Sequence, residues 1–259
     1  MRAFILCDYE GTTGVVAWDE EEAALGAESM AGDVNATIEG LRQGGFTEFV
    51  VRDYHDHGKT IHPASLDPQA TLIRGKSTPY PYGLSSDFDA MCFIGAHSMA
   101  GTANGVMCHT MNGQVHAIHI NGIKIGEIGG YAYLTSSFGV PLILVSGDKA
   151  ACDEAVALIG DVEVAPTKFG LTRNCAEVLH PTVSRKGITE AAYRAAKRVK
   201  EFPLITTDLP CHVDVTYHNP DTADRVFDTA GGERIDGCTV RITANTIYDA
   251  FKRFERGFQ

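Results

Sequence analysis

The sequence predicts an α/β fold: a mixed, mostly parallel sheet with helices on both faces, followed by a smaller C-terminal α+β lobe. Three observations carry that expectation. Short apolar runs such as Ala3–Cys7, Met91–Ile94 and Pro141–Ser146 have the character of buried parallel strands. Stretches of helical spacing alternate with them, the pattern of strands covered on both faces. Glycine, at 27 of 259 residues, exceeds its usual share of about 7% and points to many tight strand-to-loop transitions.

In chain order, Ala3–Cys7 reads as the first strand, delivering Asp8 and Glu10 at its carboxyl end. Asp19–Glu22 suit a helix N-terminus, where negative charge meets the dipole. Ala27, Met30, Ala31, Val34, Ile38 and Leu41 continue that helix, and Gly44-Gly45 stop it. Phe46–Arg52 is the next strand, ending in Asp53, His55 and His57; Ala70–Ile73 is a further strand candidate. Met91–Ile94 leads to Gly95-Ala96-His97, and residues 98–113 read as a loop. Val115–Ile120, Asn121-Gly122 and Ile123–Ile128 read as a hairpin, because Asn-Gly favours a two-residue turn. Pro141–Ser146 is an apolar strand, with a helix expected over 149–159. Beyond about residue 165 the pattern changes. A basic helix is expected near 189–200, a strand near 212–217, a helix near 219–229 and a strand near 238–243. A last helix carries Ile247, Ala250, Phe251 and Phe254 on one face, with Thr246 as its N-cap. These readings divide the chain into 1–170, an α/β domain, and 171–259, the smaller lobe, with a soft boundary over 165–185.

Composition narrows the function. Lys plus Arg is 22 and Asp plus Glu is 33, giving a net charge of −11. That balance argues against nucleic acid and against an anionic membrane surface. Seven cysteines, none at CxxC spacing, fit reduced thiols in a cytoplasmic protein better than a disulfide framework or a thiolate zinc site. No apolar span reaches the ~20 residues of a membrane helix. Gly75-Lys76-Ser77 lacks the leading glycine of a P-loop, and Pro79 and Pro81 oppose the helix such a loop requires.

What remains is a set of metal-competent side chains at strand ends. Asp8 and Glu10, two residues apart, can face one side. Asp53, His55 and His57 follow the second strand, His97 follows Met91–Ile94, and Glu127 lies on the second strand of the hairpin. Three of these carboxylates and two of these histidines would supply two divalent ions sharing a bridging carboxylate. Imidazole and carboxylate ligands suit zinc, with manganese or cobalt as alternatives. Taken singly, each residue has a plainer reading: a loop cap for Asp8 or Glu10, a surface histidine for one of His55 and His57, a satisfied core histidine for His97, a solvated edge for Glu127.

The motifs Asp8-Tyr9-Glu10-Gly11, Asp53-Tyr54-His55, Gly95-Ala96-His97, Gly105-Val106-Met107-Cys108-His109 and Ile120-Asn121-Gly122 through Gly126-Glu127 occur together. In these the chain resembles the zinc-dependent D-aminopeptidase family, the dipeptide-operon type of metallopeptidase. The resemblance implies two Zn2+ per subunit. Asp8 would bridge them, Glu10 and His55 would complete one ion, and His97 and Glu127 the other. His109 matches the family's catalytic histidine, as a proton donor or an oxyanion stabiliser. The implied activity is hydrolysis of the N-terminal amide bond of short peptides, D-amino-acid-containing ones among them, by a metal-bridging water. A ring-like homo-oligomer, a homodecamer, is implied as well. Tyr54 and the length of the Ser98–Cys108 loop depart from the family pattern. The alternatives are a two-metal phosphoesterase and a non-catalytic metal-dependent binding or assembly protein.

Overall fold

In the computed structural model, which describes residues 1–75 and 81–256, the strands form two sheets. The chain runs β1 (Arg2–Cys7), α1 (Glu20–Gln43), β2 (Glu48–Asp53), β3 (Ala70–Ile73), β4 (Ala90–Ala96), β5 (Val115–Ile120), β6 (Ile123–Ile125) and α2 (Glu127–Ser137). It continues through β7 (Leu142–Asp148), α3 (Lys149–Ile159), β8 (Glu163–Thr172), β9 (Cys175–Val178) and α4 (Pro181–Lys197). It closes with β10 (Cys211–Tyr217), α5 (Pro220–Ala230), β11 (Glu233–Arg234), β12 (Thr239–Ala244) and α6 (Ile247–Arg256).

The larger sheet has the order β3-β2-β1-β4-β7-β8-β9, parallel except for the β8–β9 pair. Strand alternation sorts its side chains to two faces. Ala3, Ile5 and Cys7 of β1 pack with Met30, Val34, Ile38 and Leu41 of α1 and with Ile188, Ala191 and Ala195 of α4. Phe4 and Leu6 join Ile128, Tyr131 and Leu134 of α2 and Ala151 and Ala155 of α3 on the opposite face. Helix α1 approaches α4 closely because Gly40 has no side chain; a Cβ there would lie 2.2 Å from the Thr189 carbonyl oxygen. Truncating one fully buried member of this packing, such as Ile38 to Ala, would cost about 2–5 kcal/mol.

The smaller sheet, β11-β12-β10-β5-β6, is antiparallel, and it packs against α5 and α6 through Val213, Val215, Val226, Ile242, Phe251 and Phe254. The hairpin at 115–125 therefore pairs with C-terminal strands, whereas α4 covers the larger sheet. The boundary expected at residue 170 falls inside β8. Among the described residues no helix is long and apolar enough to cross a membrane.

Most elements lie where hydrophobic periodicity places them. Asp19 caps α1 by accepting the Glu22 N–H at 3.0 Å, and the Asp249 N–H donates to the Thr246 hydroxyl at 3.0 Å. Asn121 and Gly122 both have positive φ, 48° and 85°, the two-residue turn expected of them. Three readings need correction. The strand expected over Ile123–Ile128 stops at Ile125, and Glu127 opens α2 instead of lying on a strand. Gly129 and Gly130 weaken the helical signal there, yet the packing requires one of them: a Cβ on Gly129 would lie 2.8 Å from Leu158 Cδ2. The basic helix begins at Pro181, not near 189, with His180 capping it. The β8–β9 hairpin, interrupted in sequence by Pro166 and Gly170, was not expected at all. Lys76 and Ser77 of the discounted P-loop tail, with Pro79, lie outside the described residues.

Candidate metal centre

The carboxyl ends of β1, β2 and β4 meet at one place. Beyond β1 the chain stays paired with β4: the Asp8 N–H donates to the Ile94 carbonyl and the Gly11 N–H to the Gly95 carbonyl, each at 2.8 Å. Two glycines permit this approach. A Cβ on Gly11 would lie 1.9 Å from the Ala96 oxygen, and Gly95 has φ +72° with the Asp8 carbonyl 2.1 Å from its would-be Cβ. The turn after Glu10 is held from beneath. The buried Lys168 ammonium donates to the carbonyls of Glu10 at 2.5 Å, Thr12 at 2.8 Å and Val15. The Thr167 hydroxyl donates to the Gly11 carbonyl at 2.7 Å.

These constraints aim Asp8 and Glu10 inward, where both are buried. The two oxygens of Asp8 face different neighbours. Oδ1 lies 3.3 Å from His55 Nδ1, and Oδ2 lies 3.6 Å from His97 Nε2. Glu10 Oε2 is 3.3 Å from His55 Nδ1, while its Oε1 accepts the Trp18 Nε1–H at 2.6 Å. His55 sits on the turn after β2, closed by Asp53, whose carboxylate accepts the Ile61 N–H at 2.8 Å. His57 stays outside: its side chain is 65% exposed, against 21% for His55. Asp53 is buried and its Oδ2 serves its own loop, while its Oδ1 has no hydrogen-bond partner among the described residues.

His97 follows β4. A carbonyl can only accept, so His97 Nδ1–H donates to the Ser98 oxygen at 3.0 Å and Nε2 points into the centre, 3.3 Å from Glu127 Oε1. His109 is oriented in the same way, Nδ1–H donating to the Met107 carbonyl at 3.0 Å. Its ring stacks on that of His97 with centroids 4.0 Å apart, and its Nε2 is 3.9 Å from Glu127 Oε1. Glu127 reaches the centre from the first turn of α2 and accepts the Met111 N–H at 2.7 Å. Asp8, Glu10, His55, His97, His109 and Glu127, distant in sequence, are therefore neighbours.

The electrostatics are those of crowded like charges. Burial, reinforced by Glu10, raises the Asp8 pKa to about 7. Burial opposes a charged His55, but Asp8 and Glu10 outweigh it and lift that imidazole to about 10. Burial equally opposes a charged His97, and Glu127 facing it drives its pKa well up. Glu10 and Glu127, despite burial, are held below the usual carboxylate range by His55 and His97 respectively. Burial, helped by the neighbouring His97, pushes His109 down.

The residues fit a metal. Glu10 Oε2 and His97 Nε2 are buried with no hydrogen-bond partner, although both point into this polar cluster. Buried polar atoms are rarely left so, and a cation between carboxylate and imidazole satisfies both. Asp8, Glu10 and His97 form one group of donors within 4.8 Å of one another; His97, His109 and Glu127 form a second. Sequence reading did not single out Trp18 or Lys168. Lys168 acts on backbone carbonyls, which leave no sequence signature; Trp18 could have been noticed only as the one tryptophan of the chain.

Sequence and structure comparisons find similar proteins. A D-aminopeptidase of Bacillus subtilis (strain 168) is 30% identical over 261 residues, covering 97% of this chain and 94% of the relative. The structure of the Zn-dependent D-aminopeptidase DppA from Bacillus subtilis, described as a self-compartmentalizing protease, superposes with a TM-score of 0.94 at 27% identity, covering 100% of this chain and 98% of that one. The D-aminopeptidase family model matches residues 1–256, and the chain belongs to that peptidase family.

Proposed function

We propose that the chain is a zinc aminopeptidase that hydrolyses the N-terminal amide bond of short peptides, D-amino-acid-containing ones among them, with two zinc ions per subunit. The observation that carries this reading is the position of Asp8, whose two oxygens face two separate donor sets. Asp8, Glu10 and His55 would hold one ion; Asp8, His97 and Glu127 would hold the other. Manganese or cobalt suits the same nitrogen and oxygen donors. When bound, the ions supply Lewis acidity at the scissile carbonyl and at water.

The chain's own residues supply the proton transfers. His109 keeps Nδ1–H on the Met107 carbonyl, so Nε2 is its free position. Burial favours the neutral ring, which leaves Nε2 able to take a proton from the attacking water. As the C–N bond breaks, Nε2 returns that proton to the departing amine, and the products are a free amino acid and a shortened peptide. Ser98 fixes the tautomer of His97, and Met111 N–H fixes Glu127. Stacked on His97, the His109 ring has little freedom to turn away.

We extend to this chain the self-association of its structural relative, as a ring-like homo-oligomer and specifically a homodecamer. The β8–β9 hairpin and the start of α4 leave Leu171, Val178 and Val183 about half exposed, an apolar surface suited to burial between copies. Light scattering of a monomer would contradict this part. The cysteines are free thiols, in keeping with the cytoplasm.

The test is a screen of chelated protein reloaded with zinc. L-, D- and β-aminoacyl amides and short peptides are set beside a panel of phosphate esters. Release of amine from substrates with a free amino terminus supports the reading. Turnover of phosphate esters alone, or of nothing, removes it in favour of a two-metal phosphoesterase or a binding protein.

A further inference from the structure

Trp18 is half exposed, unusual for so large an apolar side chain, and it does not belong to the core. Its indole N–H is spent on Glu10 Oε1 at 2.6 Å, a short hydrogen bond to a buried carboxylate. The ring meets His109 edge-on, with centroids 5.6 Å apart. Arg173 lies over the indole with its guanidinium carbon 5.0 Å from the ring centroid. The same arginine donates from Nε to the Cys108 carbonyl at 3.2 Å, and its own carbonyl accepts the Met107 N–H at 2.7 Å. Trp18 is thus wedged between one wall of the centre and the turn that carries His109. It also lines an open cleft of about 400 Å³ bordered by Tyr9, His55 and Lys59.

We propose that Trp18 is a positioning residue for the metal centre: its N–H holds Glu10 Oε1 so that only Oε2 is offered to the ion shared with Asp8 and His55. This rests on the reading of Glu10 as a ligand. The chemistry is general. A ligand carboxylate tied at one oxygen cannot swing between one- and two-oxygen binding, and loss of such an outer partner typically lowers metal affinity about 10–100-fold. Arg173 and the edge of His109 hold the indole where its N–H meets Glu10. A tryptophan kept there only for packing would not need its single donor aimed at a buried carboxylate oxygen.

The chain contains one tryptophan, so its emission reports on this contact without labels. Chelated full-length protein is titrated with zinc chloride while indole fluorescence is followed, and affinities are measured by competition with a chromophoric chelator. The unsubstituted protein should show a saturable change in emission, and E10Q should lose it. W18F should bind one ion about tenfold more weakly and the other unchanged, with the unfolding midpoint of the chelated variant within a few degrees of the unsubstituted protein. Unchanged emission while two zinc equivalents bind, or equal affinities in W18F, would overturn the role of Trp18 and leave the metal centre standing. Failure of the unsubstituted protein to bind zinc would overturn both. The fluorescence comparison decides the matter even if W18F does not fold.

Discussion

Glu154 on α3 sits behind the centre without belonging to it. Its Oε2 accepts the Met99 N–H at 2.7 Å, two residues after His97. Its Oε1 is buried without a hydrogen bond, close to Gly126, where a Cβ would lie 2.5 Å away. Burial raises this carboxyl from 4.5 to about 7, with Glu127 and Asp148 adding to the rise. A folded-state pKa above the unfolded one means that the folded state holds the proton more tightly between those values. Stability is then greatest below about pH 4.5, falls as pH rises, and has lost the whole contribution above about pH 7. At 1.36 kcal/mol per unit, the shift is worth about 3 kcal/mol. Glu154→Gln keeps an acceptor for Met99 and removes the titration. In the presence of a chelator, so that cation binding does not enter, denaturant unfolding should show the variant gaining about 3 kcal/mol on the unsubstituted protein between pH 4.5 and pH 8. A stability difference that stays flat across that range would refute the reasoning.

Three further outcomes follow from the geometry. His109→Ala should retain its full metal content by elemental analysis and lose about 10²–10⁴-fold in kcat, since its role is to move a proton. Lys168→Met would leave the carbonyls of Glu10, Thr12 and Val15 without their shared donor; thermal unfolding should show a loss of about 3 kcal/mol or more. Gly11→Ala places a Cβ 1.9 Å from the Ala96 oxygen. Forcing the ends of β1 and β4 apart should cost about 1–3 kcal/mol and weaken zinc retention in equilibrium dialysis.

Much of the architecture was readable because alternation and helical spacing are local properties. Ala3, Ile5 and Cys7 facing away from Phe4 and Leu6 is a period of two, and Met30, Val34, Ile38 and Leu41 on α1 are a helical face. The helix at Glu127 was not readable, because two glycines and a preceding hairpin signal hide an element that close packing against Ile125 and Leu158 makes necessary. The pairing of β5 with β10 depends on contacts nearly a hundred residues apart, which no local pattern encodes. At the centre, Glu127 was expected on a strand and reaches the site from α2 instead, but the gathering of Asp8, Glu10, His55 and His97 could be expected from carboxylates and imidazoles at successive strand ends. The choice of His55 over His57 could not. It depends on a turn closed by Asp53 and Ile61 and on the Tyr9 ring stacked at 4.8 Å.

Side chains from distant parts of the chain would cage the cations, and metal content tests this most directly. Protein stripped with chelator, reloaded with zinc and freed of excess should carry two equivalents per subunit by elemental analysis. Asp8→Ala, which removes the one carboxylate facing both donor sets, should retain far fewer. Two full equivalents in that variant, or none in the unsubstituted protein, would contradict the account.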